Sequence, residues 1–335
     1  MAHLRRGDAK GVDARAMNPI RNPAVGEKVP LPTPYRAAVC IAALLAFSPL
    51  VSVGQSAGPR DYLNTPVDAT SFFIDLVGAK ADTVNAGLVD ESGASLPNNE
   101  GNVRTGVVSL LYSFPLGTQY GGVALSGGRS NVEIQTPFGQ LEATGFTDPG
   151  LTFHYNFFGA PALRRDQFLS VAAQSFSSLH LTITAPLGSY DSNSLVNTGG
   201  NRWTFTPLLN LSLTHDEGVS WIDLYAGGRF YGNNNAYNGT NQLSQHPLGT
   251  LTVHYSHNFG QKMWFSIGMY YDQGGETFIN NVPQHDGASG FRPSVGISRR
   301  FGKYRMGLRL DGTASKPSDV STNRTLGLKI TGPLF

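Results

Sequence analysis

Thr325-Leu326-Gly327-Leu328-Lys329-Ile330-Thr331 alternates polar or glycine residues with apolar ones, and the chain then ends on Phe335. A period of two places Leu326, Leu328 and Ile330 on one face of a strand, with Lys329 and Thr331 on the other. A last strand with one apolar and one polar face, closed by an aromatic residue, suits a sheet whose outside meets lipid. In lipid, only helices and closed barrels satisfy every backbone N–H and C=O. The phase of the ending is irregular. Leu334 continues the apolar set, whereas the positions in phase with Phe335 are Pro333, Thr331 and Lys329. A bulge at Gly332-Pro333 is expected to reconcile the two.

Composition agrees with a barrel. Forty glycines and 14% charged residues describe a polar chain, which argues against a bundle of membrane helices. In a barrel, lipid-facing and lumen-facing residues alternate and their hydropathies cancel. Hydrophobic residues at 40% and aromatics at 10% are too many for a disordered chain. A net charge of +2 gives no case for nucleic acid. The longest apolar run, 37–53, follows Arg36 and ends in small residues, so 36–57 is expected to be a cleaved signal peptide. Residues 1–35 form an extension ahead of it, with Met17 as an alternative start. The single cysteine, Cys40, lies inside the signal, so the mature chain offers neither a disulfide nor a thiolate metal site. No cofactor is expected.

Outward from the terminal strand, strand-like segments recur at 71–84, 103–114, 120–130, 149–158, 168–185, 201–214, 219–231, 248–259, 262–272, 290–301 and 304–315, with 323–335 as the last. That makes about twelve, an even number as single-chain bacterial barrels require. Their connectors alternate long and short, the asymmetry of extracellular loops and periplasmic turns. The fold expected is therefore an all-β, antiparallel, up-and-down transmembrane barrel over 71–335, with 58–70 as a periplasmic lead-in. Tyr112, Phe114, Phe259, Phe301 and Tyr304 sit at strand ends beside short turns, as an interfacial girdle would. The turn Gly302-Lys303 predicts a hairpin pairing Phe301 with Tyr304, Arg300 with Arg305, Gly296 with Arg309 and Ser294 with Asp311.

Three stretches carry a family resemblance. They are Thr182-Ile183-Thr184-Ala185-Pro186-Leu187-Gly188-Ser189-Tyr190-Asp191, then Asn197-Thr198-Gly199-Gly200-Asn201-Arg202-Trp203-Thr204-Phe205, then Tyr270-Tyr271-Asp272-Gln273-Gly274-Gly275-Glu276-Thr277. Together they resemble the outer-membrane transporter family named for the meta-pathway of phenol degradation. Asp61-Tyr62-Leu63 and Pro66 suit the start of its mature chains. The resemblance implies a barrel of the bacterial outer membrane that passes small solutes, aromatic or anionic, by passive diffusion. It implies no catalytic residue. Its expected partners are outer-membrane lipid and lipopolysaccharide, the barrel-assembly machinery and a small-molecule solute, with the protein a monomer. A closed surface-interaction barrel and a lipid-modifying enzyme are the alternatives.

Period-two phasing nominates the lumen-facing set as Arg202, Asp223, Arg229, His254, Asp272, Arg292, Arg300, Arg305, Arg309, Asp311 and Lys329. Cations outnumber anions there. Either the charges pair and fill the lumen, or they bias a pore toward anions. Phe335 is nominated as an assembly signal. His254 and Ser256 share a face, but Val253 and Tyr255 turn that face inward, where a lipid hydrolase could not use it. The remaining histidines show no metal-ligand spacing.

Overall fold

The computed structural model describes residues 57–83, 99–136, 139–284, 286–313 and 322–334. The amino-terminal extension, most of the expected signal peptide with Cys40, and Phe335 lie outside the described residues. In chain order the elements begin with β1 (Ala69–Thr83), β2 (Asn99–Leu116), β3 (Gln119–Thr136), β4 (Gly139–Phe146) and β5 (Gly150–Gly159). Then come helix α1 (Arg165–Ser170), β6 (Phe176–Thr184), β7 (Thr204–Leu213) and β8 (Ser220–Tyr231). They continue with β9 (Asn234–Tyr237), β10 (Asn241–Gln245), β11 (Leu248–Phe259), β12 (Met263–Gly274), β13 (Thr277–Ile279) and β14 (Val282–Pro283). The chain finishes with β15 (Ala288–Phe301), β16 (Tyr304–Gly312) and β17 (Thr322–Pro333).

Strands β1, β2, β3, β5 to β8, β11, β12 and β15 to β17 pair in succession, and β17 returns to β1, so twelve antiparallel strands close a barrel. Closure leaves no sheet edge for lipid to meet. The alternation expected from sequence is the alternation observed. Leu251, Val253 and Tyr255 are exposed on the outside of β11, while Thr252, His254 and Ser256 are buried inside. Tyr112, Phe259, Phe301 and Tyr304 stand exposed near the short turns. The β15–β16 register is the one read from the two-residue turn, with Phe301 opposite Tyr304, Arg300 opposite Arg305, Gly296 opposite Arg309 and Ser294 opposite Asp311. Gly302 opens that turn at φ 59°, a left-handed value that suits glycine.

Three expectations are corrected. The segment 168–185 is not one strand. Residues 165–170 form α1, whose first turn is fixed by Gln167 Oε1 accepting the Arg164 N–H at 3.0 Å, and the strand begins only at Phe176. Arg165 to Ser170 lacks the period-two alternation a strand needs. Second, no bulge occurs at Gly332-Pro333. Pairing runs without a shift from Asp82–Thr322 to Ser71–Pro333, and Leu334 is exposed in phase with Leu326. The lipid-facing phase of the last strand is therefore that of the leucines. Third, the long connectors are built structures rather than bare loops. β4 extends the wall beside β3, and β9, β10, β13 and β14 form a separate four-stranded sheet over the long-loop rim.

Above the lipid belt the inside of the wall turns apolar. Ala79, Ala81, Val103, Val132 and Ile134 are buried there against Val196 and Leu195 of the connector 185–203. That connector therefore folds inward over the mouth. It is tied to the second sheet through Tyr190, whose hydroxyl donates to Ala236 O at 3.0 Å and accepts from Asn234 Nδ2 at 2.8 Å.

Candidate functional site

The lumen is occupied in part by the chain itself. Residues 57–66, just ahead of β1, run back into the barrel from the short-turn rim. At mid-height the segment's first described residue, Ala57, packs with Leu208 and Tyr225. His254 Nε2–H donates to the Ala57 carbonyl at 3.2 Å, and the Tyr225 hydroxyl donates to Gly58 O at 3.2 Å. Little spare room remains: a Cβ at Gly268 would strike the His254 ring, and one at Gly58 would stand 2.9 Å from Arg309 Nη1.

Each polar residue of the segment has a partner on the wall. The Arg60 backbone N–H donates to Asp223 Oδ2 at 3.0 Å. Its guanidinium donates to Ser256 Oγ at 2.7 Å and Asn258 Oδ1 at 2.6 Å, and lies over the Trp264 ring. Asp61 accepts from Lys329 Nζ at 2.7 Å and from the Gly58 N–H at 2.6 Å. Burial by itself pushes the Asp61 carboxyl upward, but Lys329, the Gly58 N–H and Arg309 together hold it below the usual carboxylate range. Burial drives the Arg60 guanidinium down to about 10, although Asp223 opposes the shift, so Arg60 remains charged at neutral pH. Tyr62 stacks on His180 with ring centroids 3.8 Å apart and meets Tyr225 edge-on at 5.5 Å. Asn64 Oδ1 accepts from Asn156 Nδ2 at 3.0 Å, and Thr65 Oγ1 lies 3.0 Å from the Tyr120 hydroxyl.

Behind the segment a buried hydrogen-bonded line crosses the wall. Ser212 Oγ donates to Asp223 Oδ1 at 2.6 Å, and Asn210 Nδ2 donates to Ser178 Oγ at 3.1 Å. Ser178 Oγ meets His180 Nε2 at 2.7 Å, and His180 Nδ1 meets His154 Nδ1 at 2.7 Å. A satisfied network of this kind rigidifies the surface on which the segment lies.

The sequence-nominated residues sort into three groups. Most charges at mid-lumen are paired: Arg292 bridges Asp272 at 2.9 Å and Asp311 at 3.1 Å. Arg309 contacts Asp311 at 3.2 Å, and Lys329 reaches both Asp61 and Asp75, the latter at 3.5 Å. Asp223 and His254 hold the inserted segment. Four cations stand outside these ion pairs, two near each mouth. Arg300 and Arg305 oppose each other beside the short turn. Toward the long-loop rim, Arg202 donates to Gln245 and stacks on Tyr231, with Arg229 nearby. His254 and Ser256 do not bond each other; each is engaged by the segment instead. Sequence reasoning missed Arg60, Asp61, Tyr62, Asp75 and His180. A cation, an anion and an aromatic in succession in a short lead-in to the first strand was the available signal.

Two cavities border the segment. One of about 520 Å³ lies between the segment and the wall on the short-turn side, and reaches Arg305, Arg309 and Lys329. Another of about 430 Å³ opens toward the long-loop rim and reaches Arg202, Arg229 and Asp272. Both are lined by Ala57, Tyr62, Asp75 and His180, so they abut beside the segment. Among the described residues, no three His, Cys, Asp or Glu side chains gather to hold a metal ion.

No curated protein matches the chain by sequence. Among solved structures, an outer membrane channel from Pseudomonas putida F1 is similar with a TM-score of 0.69 at 17% identity, over 83% of this chain and 100% of that one. The beta domain of the Bordetella autotransporter BrkA is similar with a TM-score of 0.51 at 10% identity, over 79% of this chain and 99% of that one. Both likenesses are likenesses of fold. Residues 85–331 match the family described as "Putative MetA-pathway of phenol degradation". The chain belongs to that family, and its barrel is of the bacterial outer-membrane type.

Proposed function

We propose that the barrel is a passive outer-membrane channel for small anionic or aromatic-carboxylate solutes. The long-loop rim faces outward, the short-turn rim faces the periplasm, and residues 57–66 narrow the passage. The observation that carries this reading is the pair of cavities that abut beside Ala57 and Tyr62 of a chain segment rather than at a wall of packed side chains. The family description and the channel from Pseudomonas putida F1 support it. The solute class rests on the two mouths. Among the described residues, the buried Arg202 Nη1 and Arg229 Nε find no hydrogen-bond partner beside the outer cavity. An unpaired buried donor is costly, and a carboxylate supplies the acceptors. Arg202 also loses basicity, chiefly through burial; Arg229 adds to the shift, while Tyr231, Asp148 and Asp286 oppose it. Cations in a narrow low-dielectric passage raise the local concentration of anions.

Catalysis on lipid is not the reading adopted, because His254 and Ser256 face the inserted segment and not the bilayer. The test is a planar-bilayer recording with a salt gradient and a solute panel. The wild-type pore is expected to prefer anions, and Arg202→Gln with Arg229→Gln is expected to move the reversal potential toward cations. A non-conducting barrel, or a wild-type pore that prefers cations, refutes the proposal.

A further inference from the structure

Toward the long-loop rim, the outside of the barrel carries a row of cations that the channel does not use. Arg324 on β17, Lys80 on β1, Arg104 on β2 and Arg129 on β3 are all exposed and all point away from the lumen. Lys80 stands directly opposite Arg324. Arg104 lies opposite Gly78, one diagonal step from Lys80, and Arg129 lies opposite Gly106, one diagonal step from Arg104. Opposite and diagonal neighbours on one face of a sheet are within reach of long side chains, and like charges there repel. Four cations on four adjacent strands thus form one continuous row. Among the described residues the row has one ion pair, Lys80 with Glu100 at 3.9 Å, and both side chains are largely exposed, so it neutralises little. In the long-loop half of β5 to β8, β11, β12, β15 and β16, no described outward position carries a lysine or arginine.

The row sits over a groove. A surface depression of about 450 Å³ is lined by Lys80, Arg104 and Arg324 with Gly78, Leu310 and Leu326. Gly78 faces outward with nothing within 4 Å of where a Cβ would stand, so the groove floor is open. Below the groove the same strands present Leu76, Val108, Leu110, Leu125 and Leu326, all exposed. A strand residue rises ~3.3 Å, and a tilt of roughly 40° leaves ~2.5 Å of it along the barrel axis. The stretch from Gly106 to Leu116 therefore spans on the order of 25 Å, the height of an outer-membrane apolar band. Arg104 and its neighbours stand at the upper edge of that band, where lipid headgroups begin.

We propose that this row and groove bind the bisphosphorylated, acylated disaccharide head of lipopolysaccharide. The acyl chains would lie along the leucines, and the phosphates would lie between cations that otherwise repel. Guanidinium groups match phosphate geometry with paired hydrogen bonds. Three strand spacings of ~4.8 Å make the row roughly 15 Å wide, broader than one phosphodiester needs and suited to a head with two phosphates. The assignment rests on the long-loop rim facing outward.

Full-length protein in detergent is titrated with bisphosphoryl lipid A, monophosphoryl lipid A and phosphatidylglycerol, and adducts are counted by native mass spectrometry. Bisphosphoryl lipid A is expected to bind at least tenfold more tightly than phosphatidylglycerol, with the monophosphoryl form between. The triple variant Lys80→Gln, Arg104→Gln, Arg324→Gln should lose that preference, whereas Arg299→Gln with Lys303→Gln at the opposite rim should keep it. Equal binding of the three lipids, a preference intact in the triple variant, or a lipid-free dimer that covers this wall overturns the proposal. The lipid comparison on wild-type protein decides the matter even if the triple variant folds poorly. Impermeant thiol labelling of Asn235→Cys in intact cells separates the two readings. Labelling without a lipid preference sinks the site and leaves the orientation standing, whereas protection from the reagent sinks the orientation.

Discussion

The hairpin β15–β16 and the segment 57–66 both line the lumen, yet they are built by opposite means. In the hairpin every determinant is local. A glycine-led turn fixes the register, and alternation fixes which side chains face in. In the segment the contacts with the wall are distant in sequence. Arg60 meets Asp223 across 163 positions of sequence, and Asp61 meets Lys329 across 268. The wall of a barrel is specified by period and turn, whereas its contents are specified by complementarity between residues that share no local pattern. The consequence is functional, because the wall sets the bore and the segment sets how much of it is open.

Removing residues 57–66 is the strongest way to break that contrast. With the upstream region and β1 kept intact, the variant is expected to assemble as a heat-modifiable barrel, since β1 to β17 close without the segment. Its single-channel conductance should rise severalfold above wild type. An assembled variant with wild-type conductance would show that the segment does not limit the passage. Failure to assemble would instead place the segment among the elements that hold the wall together.

A single anchor gives a smaller effect. Lys329→Met leaves Asp61 and Asp75 facing each other without their shared cation. Breaking one partner of a buried pair costs about 3–5 kcal/mol, and the low end applies here because Lys329 keeps 33% of its side chain exposed. The segment should detach in a fraction of molecules, seen as noisy openings toward the conductance of the deletion. Acid should act on the same contact. The Asp61 carboxyl is held below its unfolded value of ~3.9, so its anchoring is complete above that pH and is lost as pH falls from there toward the depressed folded value. Wild-type conductance is therefore expected to stay flat from neutral pH down to about 5 and to grow noisy only below about 4. Noise that sets in near pH 6 would point to a group other than Asp61.

These expectations mark how far the sequence could be read. The twelve-stranded wall, the outward set Leu251, Val253 and Tyr255, and the hairpin pairing all follow from period and turn chemistry. The inward direction of Arg292, Arg309, Asp311 and Lys329 was equally legible, since it needs only phase. Their pairing was not, because Arg292 joins Asp272 on β12 to Asp311 on β16 through a register that several turns fix jointly. The helix α1 was absorbed into a strand because Phe168 and Leu169 carry apolar character without a period long enough to decide. The short strands β9, β10, β13 and β14 were hidden in connectors for the same reason, being too brief to show alternation. The cluster Arg60-Asp61-Tyr62 was visible as residues and invisible as a site.

The smallest effect concerns the arginines at the short-turn mouth. Arg300 and Arg305 oppose each other in the ladder, and two like charges so placed repel. Arg300 is exposed at the rim, whereas Arg305 is half-buried and donates to Ser298 Oγ at 3.4 Å on the wall of the inner cavity. Mobile ions reach an exposed charge freely, and at physiological ionic strength the Debye length of ~8 Å confines its influence to the mouth itself. Replacing Arg300 by glutamine should therefore shift the reversal potential only slightly toward cations, by less than Arg202→Gln at the deeper cavity. The shift should fade at molar salt, where the Debye length falls to ~3 Å. Arg305→Gln should give the larger of the two changes at this mouth, because Arg305 borders the cavity and has no ion-pair partner among the described residues. A larger effect of Arg300 than of Arg202, persisting at high salt, would place the selectivity filter at the periplasmic turn, in the legible hairpin, and remove it from the region where the segment and the connector 185–203 converge.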